Sequence, residues 1–260
     1  MEFIKRNYIN TTGSIVVNSN TNASSNIFNP IKSIQYITDG FNNDATTASI
    51  RINFTATQTV SRIALQEMNL KSFILFYNGA TASTFSLTTT SATTTSNFTT
   101  NSQTSMYLFT TPVDCTSVTL DMRSTQSTNA EKAIGYLHIS DLLLNFETNG
   151  RIPASKNYNP ERNRREVRHT MSDGGTRLSI LEEKWAVNLK FDSVTLAFKN
   201  ELKTIFDRRE AVVFAAFPTT TAWDNVFFDC VWPEPFNFEE YSDDSANSGF
   251  SGSIKLLETS

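Results

Sequence analysis

Thr38-Asp39-Gly40-Phe41-Asn42-Asn43-Asp44-Ala45-Thr46-Thr47 opens the decisive stretch of this chain. It is followed by Ile50-Arg51-Ile52-Asn53-Phe54 and by V-S-R-I-A-L-Q-E-M-N-L-K-S-F-I-L-F-Y-N-G over residues 60–79. Asp39-Gly40 is a strong turn signal. Ile50, Ile52 and Phe54 alternate with Arg51 and Asn53, which sends the apolar side chains to one face of a half-buried strand. Val60, Ile63 and Leu65 begin another strand in which two spacings compete, so a bulge is expected there. Residues 73–77 are apolar throughout, as in a central strand covered on both sides, and Asn78-Gly79 suits a hairpin because both residues accept positive φ.

Upstream, residues 8–29 are polar apart from Ile15-Val16-Val17 and Ile27-Phe28, which predicts one short strand and a long Asn/Ser loop. Downstream, residues 81–105 are dominated by Ser and Thr. Composition alone admits a flexible or O-glycosylated stalk, but the strand pattern that resumes at Met106-Tyr107-Leu108-Phe109 favours two edge strands with polar outer faces. Val118, Leu120 and Met122 alternate, and residues 134–146 supply a final strand pair. About eight strands therefore precede Gly150, which is what a two-sheet jelly roll needs.

The composition changes over 151–177, which carries seven basic and three acidic residues with turn formers at both ends. It reads as a linker or an extended arm. After it, Trp185, Val187, Leu189 and Phe191 hold a strict period of two, predicting a strand with Trp185 on the core phase. Val194, Ala197, Phe198, Leu202, Ile205 and Phe206 then fall at helical steps behind Ser193 as N-cap and ahead of Arg208-Arg209. Residues 211–217, 225–232 and 250–257 read as later strands, which makes a small α+β unit with one helix on a sheet. The expected fold class is mainly β, divided into a jelly-roll sandwich over 1–148, a basic linker or arm over 149–177, and an α+β assembly domain over 178–260.

The 260 residues carry a net charge of only -4, so there is no global attraction to nucleic acid or anionic lipid. Twenty phenylalanines are enough to fill two modest cores. Cys115 and Cys230 lie far apart without a C-x-x-C spacing and are expected to be buried free thiols. No apolar run is long enough to span a membrane, and the opening residues lack the apolar core of a secretion signal, which points to assembly in a cytoplasm. His138 and His169 sit in different regions, and no G-x-S-x-G, H-E-x-x-H or G-K-[ST] element occurs. No catalytic group and no cofactor is expected.

Three sets of residues are candidates for contact with other molecules. Asp39, Asn42, Asn43 and Asp44, with Phe41 among them, offer clustered oxygens to a hard cation or a glycan, although an Asx turn explains the same residues without either. Arg162, Arg164, Arg165 and Arg168 could track phosphates, but Glu161 and Glu166 dilute the field and no aromatic platform is interleaved. Acidic surface on a neighbouring subunit suits them better, because residues 178–260 hold fourteen acidic and seven basic side chains. Trp223, in a polar loop, is a candidate for packing against a partner.

The T-D-G opening, with the later N-L-K-S-F and Y-N-G, resembles discoidin-like, galactose-binding-type sandwiches. The wider set of Asn69-Leu70-Lys71, Phe73, Tyr77-Asn78-Gly79, Glu131-Lys132-Ala133-Ile134-Gly135 and G-F-S-G-S-I-K-L-L-E at 249–258 resembles tail-tip or baseplate proteins of tailed bacteriophages. That resemblance implies a virion component at the distal end of the tail, forming or decorating a homo-oligomeric ring, with other tail proteins as partners and assembly in the bacterial cytoplasm. Sugar-binding sandwiches also carry loop arginines and aromatics for stacking, whereas here the turn continues from Phe41 into polar Asn42-Asn43-Asp44, and no paired cysteines frame it. A host-surface glycan is the alternative partner.

Overall fold

A computed structural model describes residues 1–9, 13–29, 34–77, 91–97, 104–146, 158–172, 175–209, 212–216, 227–241 and 249–259. Its elements in chain order are β1 (Glu2–Ile4), β2 (Gly13–Val17), a 3-10 helix (Thr21–Phe28), β3 (Tyr36–Ile37), β4 (Ala48–Gln66), β5 (Ser72–Tyr77), β6 (Ser91–Asn97), β7 (Thr104–Met122), β8 (Ala133–Ile134), β9 (Tyr136–Ser140) and β10 (Leu142–Asn145). There follow β11 (Tyr158–Thr170), β12 (Thr176–Val194), α1 (Leu196–Arg208), β13 (Val212–Ala215), β14 (Phe227–Val231), β15 (Phe238–Tyr241) and β16 (Gly249–Glu258). The protein is mainly β, with large antiparallel sheets and one α-helix among the described residues. Two compact units divide the chain: Ile4–Leu142 makes the body of one, and Met1–Phe3, Leu143–Ala216 and Val226–Ser260 make the other.

The first unit is a sandwich made by two long strands that change layers. Over residues 48–54, β4 pairs β2 on one side and the second half of β7 on the other, and β7 continues the sheet to β5 and β6. Over residues 58–66, β4 pairs the first half of β7 and β9. Residues 55–57 lie between these runs, exposed and outside the β7 ladder. The two halves share one core, in which Ile50, Ile52, Ile63 and Leu65 pack with Leu75, Leu120, Leu137 and Ile139. The competing spacings at 60–65 have a physical cause: the ladder shifts register between Val60 and Arg62, and residues 60–66 are buried on both faces, so polar and apolar positions no longer alternate.

The second unit has one sheet in the order β10-β1-β13-β14-β16-β12-β11, with β15 added on β16. Phenylalanines fill its core: Phe3 meets Phe146 edge-on at 4.9 Å, and Phe146, Phe191 and Phe198 form a triangle with centroid separations of 6.1, 6.0 and 5.8 Å. Helix α1 buries Phe198, Leu202 and Ile205. Gly252 lies opposite Phe238 in the β15–β16 ladder, where a Cβ would come within 2.6 Å of Asn237 O and 2.9 Å of the Phe238 ring. No larger residue fits unless the strands part.

Several sequence expectations are corrected. Met1–Phe3 and β10 join the second unit rather than the sandwich, and eight strands, β2 to β9, build the sandwich among the described residues. The stretch read as a linker or arm is a strand over Tyr158–Thr170, paired along its length with β12. The helix is capped by Thr195, whose Oγ1 accepts from Phe198 N at 3.2 Å, not by Ser193, because β12 runs on to Val194. β15 was not expected. Asn78-Gly79 and most of 81–105 lie outside the described residues, although Ser91–Asn97 is a strand paired with β5.

Candidate functional site

The T-D-G loop is held by residues some ninety positions away. The short β3–β8 ladder, Tyr36 to Ile134 and Ile37 to Ala133, brings Glu131-Lys132 beside Thr38. Gly40 takes φ +79°, a left-handed conformation that glycine adopts without steric cost. The Glu131 carboxylate then accepts from Thr38 Oγ1 at 2.7 Å, from Gly40 N at 3.1 Å and from Phe41 N at 3.2 Å. Lys132 is wholly buried, and its Nζ donates to Phe41 O at 2.7 Å and Asn43 O at 3.2 Å. Burial pulls the Lys132 ammonium below its usual range, opposed by the charges of Asp44 and Glu131.

This arrangement bears on the cation question. Asp44 Oδ1 accepts from Thr125 N at 3.1 Å and Thr125 Oγ1 at 3.0 Å, and Asp44 N donates to Asn129 Oδ1. Burial pushes the Asp44 carboxyl up, but the bonds from Thr125, a bond from Asn129 and the Lys132 charge outweigh it and hold the group below the ordinary carboxylate range. Asn43 Oδ1 accepts from Ala45 N at 2.8 Å, an Asx turn. Of the candidate ligand oxygens, Asp44 Oδ1 and Asn43 Oδ1 are thus engaged by protein donors, with the Lys132 ammonium as the nearby positive charge. Among the described residues, no group of three or more His, Cys, Asp or Glu is placed to hold a metal. Phe41 packs, half buried, against the sandwich core, whereas Asp39, Asn42 and Asn43 are exposed. The rim offers a braced surface of amides and one free carboxylate, without an outward-facing aromatic ring among the five sequence-predicted residues.

The arginines lie on a different structure. β12 pairs β16 only from Ala186 onward, and Glu258 Oε2 accepts from Trp185 N at 2.9 Å where that ladder ends. Beyond this point, 162–170 and 176–185 form a two-stranded ribbon about 30 Å long at the ordinary rise per residue. Its register fixes which side chains share a face. Arg162 is opposite Trp185, Arg164 is opposite Glu183, and then Leu181 is skipped, so that Glu166 faces Ile180 and Arg168 faces Leu178. Residues two apart share a face, so Arg162, Arg164, Glu166 and Arg168 stand beside Trp185, Glu183, Ile180 and Leu178. Arg165 is on the opposite face.

Inward, that same face carries Val187, Leu189 and Phe191, all buried in the unit's core. Outward it is uncovered: Leu178 and Ile180 are 51% and 52% exposed, and the skipped Leu181 is 58% exposed. The Arg162 guanidinium lies 4.4 Å from the centre of the Trp185 ring, and Trp185 is partly buried at the core's edge, not the fully packed residue its phase implied. Arg162 and Arg164 both reach Glu183 Oε1, at 3.2 and 3.5 Å, and the Arg162 hydrogen bond leads in drawing the Glu183 carboxyl below its usual range.

His138 is fully buried, with Nε2 3.1 Å from Lys5 O and 2.8 Å from Ser140 Oγ. Burial drives its pKa down to about 3, so it is neutral at physiological pH. Cys115 and Cys230 are buried and unbridged, and burial pushes the Cys115 thiol up to about 12. Trp223 lies outside the described residues. Sequence reasoning missed the bracing role of Glu131 and Lys132 and the apolar positions Leu178 and Ile180. The latter sit one step out of phase with Trp185 until the bulge at Leu181 is counted.

The sequence matches no family model and no curated protein. Among solved structures, it is similar to the family 32 CBM from C. perfringens NanJ in complex with galactose: 15% identity over 52% of this chain and 97% of that one, with a TM-score of 0.42. It is also similar to chitosan-binding module 1 derived from a chitosanase/glucanase of Paenibacillus sp. IK-5, at 13% identity over 49% and 94% of the two chains, with a TM-score of 0.40.

Proposed function

We propose that this chain is a non-catalytic structural subunit that joins copies of itself through the β11–β12 ribbon, and that its setting is the tail tip or baseplate of a tailed bacteriophage. One observation carries the assembly reading: the core face of the second sheet runs past its own cover and ends in Leu178 and Ile180, exposed beside Arg162, Arg164 and Arg168. A two-stranded ribbon is marginal in water without a further layer. Arginine with tryptophan and exposed aliphatics is also the composition of an interface centre. The virion setting rests on the sequence resemblance alone.

The experiment is negative-stain microscopy with light scattering on the purified chain. Rings or higher oligomers are expected, and Arg162, Arg164 and Arg168 replaced together by Glu should yield a monomer that keeps the wild-type circular dichroism spectrum. A wild-type chain that stays monomeric at high concentration overturns the reading.

A second reading, attachment to a host-surface glycan, is favoured by the rim, where Asp39 and Asn42 are exposed on a loop fixed by Glu131 and Lys132. Retention on a glycan array, lost on Asp39→Ala with Asn42→Ala, supports it. No retention by the folded wild type removes it.

A further inference from the structure

The ribbon needs a surface to dock on, and the second unit carries one of matching chemistry. Between β14 and β15 runs Trp232-Pro233-Glu234-Pro235-Phe236-Asn237. Its aromatic rings are anchored: Trp232 meets the α1 residue Phe206 at 5.2 Å and Phe236 at 5.6 Å, and Phe236 stacks on Phe238 at 4.8 Å. Pro233, Glu234, Pro235, Glu239 and Glu240 stand out from this ridge, exposed.

On one side of the ridge lies a cavity of about 380 Å³ whose apolar wall includes Phe3, Ile205, Phe206, Val231, Trp232 and Pro235. The Trp232 Nε1 is buried with no hydrogen-bond partner among the described residues, a state that costs free energy until an acceptor arrives. Glu234 and Pro235 line this cavity and also a broader groove of about 900 Å³ on the other side, which reaches Glu239 and Gly252.

We infer that residues 232–240 of one copy receive the ribbon of the next, a deepening that rests on the assembly reading above. Leu178 and Ile180 enter the 380 Å³ cavity, and Arg164 and Arg168 on the same face meet Glu234 and Glu239. Volume and charge both match. A space of about 150 Å³ holds a benzene, so this cavity admits both aliphatic side chains, and the ribbon face, where Arg162, Arg164 and Arg168 outnumber Glu166 and Glu183, stays net positive towards the carboxylates of Glu234 and Glu239. Within one chain the two surfaces do not meet, since Leu178 and Ile180 remain half exposed. Each copy therefore offers an arm and a socket at different places, a heterologous contact that propagates into a ring or an open stack instead of stopping at a symmetric dimer.

Sedimentation velocity on two full-length variants tests this. The arm variant carries Leu178→Ser and Ile180→Ser, and the socket variant carries Glu234→Lys and Glu239→Lys; a wild-type circular dichroism spectrum confirms that each is folded. Each alone is expected to associate at least about tenfold more weakly than wild type, as for loss of an interface centre. Mixed, they should form a 1:1 complex that grows no further, because only one intact arm and one intact socket remain. If the arm variant is monomeric while the socket variant assembles like wild type, or if the mixture forms no capped dimer, the placement fails and assembly through the ribbon stands. If the arm variant assembles like wild type, both fail.

Discussion

Replacing Lys132 by Met asks whether the T-D-G loop owes its position to a buried ammonium. Methionine keeps most of the length and apolar bulk of the side chain but removes the donors to Phe41 O and Asn43 O. Asn43 O retains Thr46 N and Oγ1, so Phe41 O is the acceptor left without its donor. Glu131 and Asp44 keep their negative charges beside a site that no longer holds the positive one. A hydrogen bond to a charged group is worth roughly 1.5–3 kcal/mol, and relief from desolvating the ammonium offsets part of the loss. The net is about 2–3 kcal/mol, which for a domain of this size lowers the melting temperature by about 6–12 °C. Scanning calorimetry of the whole chain measures it, with the transition of the second unit as internal control. Hydrogen exchange adds a local readout, since the Gly40 and Phe41 amides held by Glu131 should lose protection. A sandwich transition within about 2 °C of wild type, under 1 kcal/mol, refutes the bracing argument.

His138 predicts an acid-sensitive sandwich. Its pKa of about 3 in the folded chain lies below the 6.5 of a free imidazole. The unfolded state therefore binds more protons between these values, and stability falls as pH drops from 6.5 towards 3. In His138→Gln, urea midpoints measured over that window should show a flatter slope. Gly252→Ala forces a Cβ to within 2.6 Å of Asn237 O and should destabilise the second unit by about 1–3 kcal/mol, read from its denaturation midpoint. The oxygens around Asp44 are engaged by Thr125 and Lys132, so EDTA should leave the melting temperature unchanged, and a chelator-induced drop would show that a cation contributes.

What could be read in the sequence depended on how far apart the cooperating residues lie. The alternation of Ile50, Ile52 and Phe54, and that of Val187, Leu189 and Phe191, each follow from one covered face, and both strands form as expected. Residues 60–66 defeated the same rule because both their faces are covered. Met1–Phe3 is too short to show a period, and its partners lie beyond residue 140. Of the candidate sites, the basic charge of 162–168 was legible as composition. Its face was not, because the bulge at Leu181 reverses the phase of β12 and hides Ile180 and Leu178 from the core alternation. The rim was legible at Gly40, but Glu131 and Lys132 act across some ninety residues, and no local pattern marks a lysine as buried.

The central claim is that the outer half of the β11–β12 ribbon is an interface. Amide exchange over 162–170 and 176–185 of the wild-type chain, followed from nanomolar to high micromolar protein, tests it most directly. Protection that rises with concentration there, while the T-D-G rim stays unchanged, is the predicted result. Rapid exchange along the ribbon at every concentration contradicts it.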